Sequence, residues 1–389
     1  MTDRDIKSLI ILNKSRGEIL KHFRRVYEVE KSVSAEKPED LLPGNKPEGV
    51  IKNKILLAES RGQVFKPCPG TSEKYICCNY WVLNQSLNCP FNCSYCILQY
   101  YLNNPYLTVF TDTEKMIGQI RERMSREPRR FFRIGTGELA DSLALNEEGH
   151  FAQPLIRFAA YTPNMILELK TKSDRIHSLL HENHKGKTIL AWSINPPAVI
   201  RAEEHGAASL PRRLKAVELA VKAGYKLAFH FDPILYYPSW KKDYEKTIQH
   251  LFNVAPSSRI AWISMGSLRF PPDMKEKILS RFPGTHLLDA EMIRGMDGKL
   301  RYFKPLRIRL YQHIFKLLRK YGGPDVFIYF CMEDSETWTA VTGKAPGSNG
   351  ELDYWFARHL YHHFPGLLSE PPHLEDYLSF STPRHRDQF

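Results

Sequence analysis

Residues 88–105 read NCPFNCSYCILQYYLNNP, and the first nine set Cys89, Cys93 and Cys96 in a Cys-x3-Cys-x2-Cys array. Spacings this short let one loop wrap a corner of an iron–sulfur cube with its thiolates converging. The number three is informative. A fourth cysteine closes a cluster as an electron carrier, whereas three leave one metal position open to a further ligand, as catalytic metal sites require. Zinc is the competing reading, but it wants a fourth Cys or His at its own spacing. The nearest remaining cysteines, Cys68, Cys77 and Cys78, supply no Cys-x2-Cys pair.

Working outward, Tyr75–Leu83 (YICCNYWVL) is a strand candidate that delivers the chain to the cysteine loop. Beyond the loop, apolar β-rich runs at Phe131–Gly135, Met165–Leu169, Thr188–Ser193, Lys226–Phe231 and Ile260–Ser264 predict strands. They alternate with helical patterns near Thr113–Ser125, Gln153–Tyr161, Pro211–Ala223 and Asp243–Val254. This alternation predicts right-handed βαβ units and a parallel sheet, either wound on both faces or curled into a full or partial barrel. The active site of such a sheet lies at the carboxyl ends of its strands. After about residue 285 the pattern changes to a basic stretch (Arg294–Arg309), a helix over Pro305–Lys320, a strand at Asp325–Phe330 and a helix near Glu351–His363. Residues 1–30 read as an amphipathic helix, and Lys31–Gly49 as an exposed linker rich in Ser, Pro, Glu, Lys and Gly. The expected organisation is an N-terminal extension and linker (1–74), a core barrel (75–285) and a C-terminal α/β extension (286–389), without internal repeats.

Composition bounds these readings. The chain has 389 residues, enough for a substantial core, and its excess of 55 Lys and Arg over 43 Asp and Glu gives +12. Such an excess favours polyanionic partners, nucleic acid above all, and equally describes an unspecialised basic surface. Seven cysteines, an odd number in a chain of this length, point to reduced thiols rather than a disulfide framework. No apolar run is long enough to cross a bilayer, and the charged N-terminus does not read as a secretory signal. The expected setting is therefore cytoplasmic, with no membrane partner.

Polar residues at the predicted strand ends are the site candidates. Gly135-Thr136-Gly137-Glu138 follows the run FFRIG; glycines there allow a bound ligand close to the backbone, and the carboxylate can pair with an ammonium. A tight turn carrying a solvated acid is the alternative. Lys172, Ser193 and Asn195 end the next two strands, as ligand contacts or as turn and capping groups. His230 and Asp232 in FHFDPI read as pocket or as satisfied core. Arg301-Tyr302-Phe303-Lys304, with Arg307 and Arg309, interleaves cations and aromatics either as a surface for phosphates and stacked bases or as the basic face of a helix.

The Cys89–Cys96 segment, with Tyr95 immediately before its last cysteine, resembles the signature of the radical S-adenosylmethionine superfamily. That resemblance implies a partial (β/α)6 TIM-like barrel and a [4Fe–4S] cluster on Cys89, Cys93 and Cys96. The open iron would chelate S-adenosylmethionine, and the reduced cluster would cleave it to a 5′-deoxyadenosyl radical. Gly135–Glu138 resembles the superfamily's glycine-rich GGE-like element, which assigns Glu138 to the cofactor's amino group. Lys172 then suits its carboxylate, and Tyr95, Ser193 and Asn195 the rest of the cofactor pocket. In this order, NCPFNCSYCILQYYLNNP, Thr171–Lys172, Trp192–Asn195, AGYKLAFHFDPILYYPSW (223–240) and YFCMEDSETW (329–338) resemble the spore photoproduct lyase family. The likeness implies carbon–carbon bond cleavage in a DNA lesion, with an electron donor such as flavodoxin or ferredoxin. Two positions depart from the family. FRIGTGELADS lacks the cysteine that returns a hydrogen atom, Thr136 standing at about its place, and Ile97 follows Cys96 where the lyases carry a tyrosine. Cys331, Tyr95, Tyr100 and Tyr101 are the substitute hydrogen-relay candidates, and His230, Asp232, Arg301, Tyr302 and Lys304 the substrate candidates. Two alternatives keep their place: radical chemistry on RNA, a peptide or a small metabolite, and a non-catalytic metal-cluster protein that binds nucleic acid.

Overall fold

Strands buried on both faces need continuous apolar runs, and the two longest strands of the barrel sheet show this. All eight residues of IAWISMGS (Ile260–Ser267) are buried, and seven of the nine in KLAFHFDPI (Lys226–Ile234). These two strands pair in parallel as the second and third strands from one edge of an eight-stranded sheet. In chain order its strands are β1 (Phe65–Pro67), β2 (Trp81–Leu83), β3 (Phe132–Gly135), β4 (Met165–Thr171), β5 (Thr188–Ser193), β6 (Lys226–Ile234), β7 (Ile260–Ser267) and β8 (Ile328–Phe330). The computed structural model describes residues 6, 8–12, 15, 17–34, 51–69 and 74–378.

Strands β2 to β8 run parallel in unbroken sequence order, and β1 lies antiparallel at the β2 edge. The sheet is strongly curled. Trp262 Nε1 on β7 donates to Glu168 Oε1 on β4 at 3.3 Å, although two strands separate them in the sheet. A flat sheet would hold those strands about 14 Å apart. The result is a mixed α/β, partial-barrel architecture, one of the outcomes that the alternation left open and the one that the family resemblance implies. Helices Thr113–Ser125, Gln153–Tyr161, Leu210–Lys222 and Trp240–Val254 fall within a few residues of their predicted places.

The C-terminal helix Asn349–His363 packs into the curl. Its Phe356 ring meets Trp262 edge-on at 5.7 Å, the Arg133 guanidinium of β3 lies 3.5 Å over Phe356, and Asp353 pairs with Arg130 at 2.7 Å and with Arg133 at 3.3 Å. Ser348 caps this helix by accepting from the Glu351 amide at 3.1 Å, satisfying one of the unpaired first-turn donors.

Three expectations need correction. Residues 1–30 are not one helix: Ser8–Leu12 and Val29–Val33 are strands, and among the described residues between them Glu18–Arg24 is helical. They join Ile51–Ala58, Tyr106–Phe110 and Ser86–Leu87 in a second, five-stranded sheet. The run SLIIL, four of its five residues buried, packs Leu9 and Ile11 on one face and Ile10 and Leu12 on the other, which suits a parallel strand covered on both sides better than a helix. The linker reading falls mostly on residues 35–49, which lie outside the described residues, while its first part belongs to the strand Val29–Val33. The strand foreseen over Tyr75–Leu83 is confined to Trp81–Leu83, with Ile76 forming an isolated bridge to Glu333. The basic stretch 294–309 begins as a small antiparallel sheet in which Leu300–Tyr302 pairs with Arg269–Phe270 and Met292–Arg294. Among the described residues no helix is long and apolar enough to cross a membrane.

Candidate active site

The loop after β2 carries the three cysteines. Asn92–Cys93 is pinned by an antiparallel bridge to Glu204–His205, and the Ser94 amide donates to the Glu203 carbonyl at 2.9 Å. Cys93 is buried and Cys89 and Cys96 are half-buried, all with free thiols. They pack together with Phe91, Tyr95, Ala144 and Ala207. Burial, reinforced by Asp141 and Cys96, pushes the Cys89 thiol up to about 12, and burial likewise raises Cys93. A cation or metal must therefore supply the charge that would keep these sulfurs ionised. Among the described residues no group of three or more His, Cys, Asp or Glu stands ready to hold a single metal ion. A cluster takes its thiolates on separate irons, so its ligands need not meet at one point. As a donor set, three clustered thiols on one loop fit such a group.

Beside Cys93 lies a charge network that the sequence did not announce. Glu204 accepts from Tyr95 Oη at 2.6 Å and from Asn195 Nδ2 at 2.8 Å, and is ion-paired with Arg213. Burial alone would raise this carboxyl, but Arg213 and Lys172 hold it down at about 2. Arg213 also donates to the Ser193 and Ala208 carbonyls, both at 2.8 Å. Burial opposes the Lys172 charge, yet Glu204 and Cys93 outweigh it and raise that ammonium; its Nζ lies 5.6 Å from the Tyr95 ring centre. The structure thus brings Tyr95, Lys172, Ser193 and Asn195 into one assembly around Glu204. Tyr95 has its hydroxyl committed within that network.

The β3–Glu138 turn is tightly built. A Cβ on Gly135 would fall 1.5 Å from Tyr80 Oη, and one on Gly137 would fall 3.2 Å from Lys170 Cβ. Thr136, buried, donates to Ser142 Oγ at 2.8 Å. Asp141 ties this turn to the end of β4, accepting from the Lys172 amide at 2.7 Å and from Thr171 Oγ1 at 2.6 Å. Burial raises the Glu138 carboxyl to about 6 against the pull of Lys66 and Lys170, and its buried Oε2 has no hydrogen-bond partner among the described residues. An acid left in that state is ready for an incoming donor.

Across the curl, His230 Nε2 meets Glu168 Oε1 at 2.7 Å, and Tyr80 donates to the other oxygen. Burial opposes that carboxylate, while His230 and Tyr80 hold it at about 2. His230 is therefore a satisfied core histidine. Asp232 forms a bidentate pair with Arg269 (3.0 and 3.1 Å), and Arg269 Nη2 also lies 3.3 Å from Cys331 Sγ. Burial pushes Cys331 up to about 11 despite Arg269, so the thiol keeps its hydrogen. The Lys170 backbone amide donates to Ser142 Oγ at 3.2 Å, while its half-buried ammonium, at the end of β4, makes no hydrogen bond or ion pair within the described residues and contributes field to Glu138, Glu168, Asp232 and Cys331. Tyr100 and Tyr101 stay exposed on the short helix after the cysteines.

The expected cation–aromatic surface does not form at Arg301 and Tyr302, each only 1% exposed. Arg301 pairs with Asp297 at 2.7 Å and stacks 4.1 Å over the Tyr75 ring, while Tyr302 Oη accepts from the Tyr236 amide at 3.3 Å. Lys304 remains accessible but is bound to Asp334 and Glu336. Interleaved cations and aromatics served here to build a small sheet and start a helix.

Sequence comparison locates this geometry among known proteins. The sequence model of a family described as spore photoproduct lyase matches residues 77–308, more than half of the chain. The spore photoproduct lyase of Bacillus subtilis is 28% identical over 215 residues, 54% of this chain and 63% of that protein. Its Geobacillus namesake is 28% identical over 202 residues, 51% and 59% respectively, and the Clostridium acetobutylicum protein 25% identical over 255 residues, 65% and 74%. The chain thus spans about three fifths of the first two relatives. A spore photoproduct lyase variant solved with bound AdoMet and dinucleoside spore photoproduct shares the fold at a TM-score of 0.73 and 23% identity, over 83% of this chain and 98% of that one. A second, complexed with dinucleoside spore photoproduct, gives 0.72 and 22%. With the family match covering the cysteine loop, the Glu204 network and the Asp232–Arg269 pair, the chain belongs to the spore photoproduct lyase family.

Proposed function

We propose that this protein is a radical S-adenosylmethionine enzyme that cleaves a carbon–carbon bond in a thymine-derived DNA lesion, with residues 75–285 as its catalytic core. The observation that carries the reading is the convergence of the Cys89, Cys93 and Cys96 loop with Lys172 and Asn195 at Glu204, with Glu138 following the carboxyl end of β3. When bound, a [4Fe–4S] cluster with S-adenosylmethionine supplies a carbon-centred radical at the mouth of the barrel. The chain does the rest. Cys89, Cys93 and Cys96 hold the cluster, and Glu138, whose Oε2 is unpartnered, accepts from the cofactor's ammonium. Lys172 answers its carboxylate, and Glu204 keeps Lys172, Tyr95 and Asn195 in place.

The net charge of +12 supports a polyanionic substrate, and an acidic flavodoxin or ferredoxin suits such a surface as electron donor. With Arg301 and Tyr302 buried, phosphate contacts fall to other cations. The Lys170 ammonium, without an ion-pair partner among the described residues, is one of them. Cys331 is the accessible hydrogen source, protonated beside Arg269, and Tyr95 is excluded from that role by its bond to Glu204. The test is incubation of the reconstituted protein with DNA carrying spore photoproduct, with thymine recovery measured by chromatography at low and moderate salt. Recovery that falls with salt supports the reading. Turnover of S-adenosylmethionine with no loss of lesion would move the substrate to RNA, a peptide or a small metabolite.

A further inference from the structure

Lys52 lies outside the family match, on a strand that the barrel does not need, yet it reaches the cysteine loop. Its strand Ile51–Ala58 pairs with Tyr106–Phe110, but the register jumps from Ile51 opposite Tyr106 to Ile55 opposite Leu107. Residues 52–54 are thereby expelled from that ladder. Bulges of this kind re-aim side chains, and here they send two lysines to different partners. Lys54 takes Glu30 at 2.6 Å, while Lys52 Nζ donates to the Phe91 carbonyl and lies 3.5 Å from Asn92 Oδ1. Phe91 and Asn92 stand between Cys89 and Cys93. From the end of the helix Met274–Arg281, Arg281 donates to the same Asn92 Oδ1 and to Gln99 Oε1, both at 2.8 Å. Two cations from separate elements therefore grip the segment that spaces the thiols. Burial lowers the pKa of the Lys52 ammonium, and the neighbouring Cys89, Cys96 and Cys93 act against that fall.

We propose that Lys52, seconded by Arg281, is a positioning residue that fixes the cysteine loop and raises the reduction potential of the cluster held there; this rests on the iron–sulfur reading above. A fixed positive charge beside a cluster stabilises the reduced form, the more negative of the two, more than the oxidised form. Cluster potentials respond to net local charge in this way. Reduction is the step at which a radical S-adenosylmethionine enzyme takes its electron, so the charge acts on how easily the enzyme is primed.

The experiment is an anaerobic redox titration, followed by electron paramagnetic resonance, of reconstituted wild-type, Lys52→Met, Lys52→Arg and Arg281→Gln proteins, with iron and sulfide determined on each. Lys52→Met should move the midpoint to more negative potential, Lys52→Arg should restore most of it, and Arg281→Gln should shift it in the same direction as Lys52→Met. A Lys52→Met protein with full iron content and an unchanged midpoint overturns the inference while leaving the iron–sulfur reading intact. A wild-type protein that takes up no iron and sulfide overturns the iron–sulfur reading first. Should Lys52→Met fail to fold, Arg281→Gln decides: an unchanged midpoint there, with the cluster present, overturns the proposal.

Discussion

Glu138 shows how much a single side chain can declare about its ligand. Its pKa of about 6 arises from burial, and its unpartnered oxygen faces a region where Lys66 and Lys170 are the nearby cations. An ammonium docking there needs the ionised carboxylate. S-adenosylmethionine affinity, measured by calorimetry, should accordingly weaken as pH falls through about 6, with a proton released on binding near that value. Glu138→Gln should flatten this pH dependence and cost roughly tenfold or more in affinity, the value of a hydrogen bond to a charged group. Unchanged affinity in the variant would separate Glu138 from the cofactor. The cysteines and Glu138 were legible in the sequence because their spacing or their place after a strand signals chemistry locally. Glu204, Arg269, Lys170 and Lys52 were not, since each acquires meaning from partners brought close only by the fold, such as Asp232 37 residues before Arg269.

At the level of elements, the β3 turn and the curl of the sheet depend on one another. Gly135 leaves room for Tyr80, and Tyr80 in turn donates to Glu168, which receives His230 and Trp262 from β6 and β7. Gly135→Ala would push a methyl group into the Tyr80 hydroxyl and should cost about 1–3 kcal/mol, as overpacking does in close-packed interiors. Chemical denaturation of Gly135→Ala and of the double variant Gly135→Ala/Tyr80→Phe checks this. Equal losses in both would show that the hydroxyl is not the obstacle. The barrel strands and their helices were readable because apolar runs alternated with helical periodicity over long stretches. The N-terminal sheet escaped reading because SLIIL is too short to tell strand from helix by pattern, and its partner Ile51–Ala58 and that strand's own partner Tyr106–Phe110 lie far along the chain.

Over the whole molecule, stability and site share the same buried charges. Glu204 is held at about 2 against an ordinary 4.5, so ionised Glu204 contributes stability that is complete above about pH 4.5 and is lost as pH falls towards 2. Glu168 follows the same course, lowered to about 2 by His230 and Tyr80. Denaturation midpoints should therefore hold steady at neutral pH and drop through this acid window. Glu204→Ala, which leaves Arg213 buried without its partner, should lose about 3–5 kcal/mol at pH 7 and show a shallower acid limb. A limb as steep as wild type would contradict the assignment. The proposed chemistry begins at the loop of Cys89, Cys93 and Cys96. Its most direct test is anaerobic reconstitution with iron and sulfide, followed by reduction in the presence of S-adenosylmethionine and assay for 5′-deoxyadenosine. The wild-type protein should bind about four irons per chain and form 5′-deoxyadenosine, and Cys93→Ala should do neither. One zinc without iron in the wild type, or 5′-deoxyadenosine formed equally by Cys93→Ala, would contradict the account.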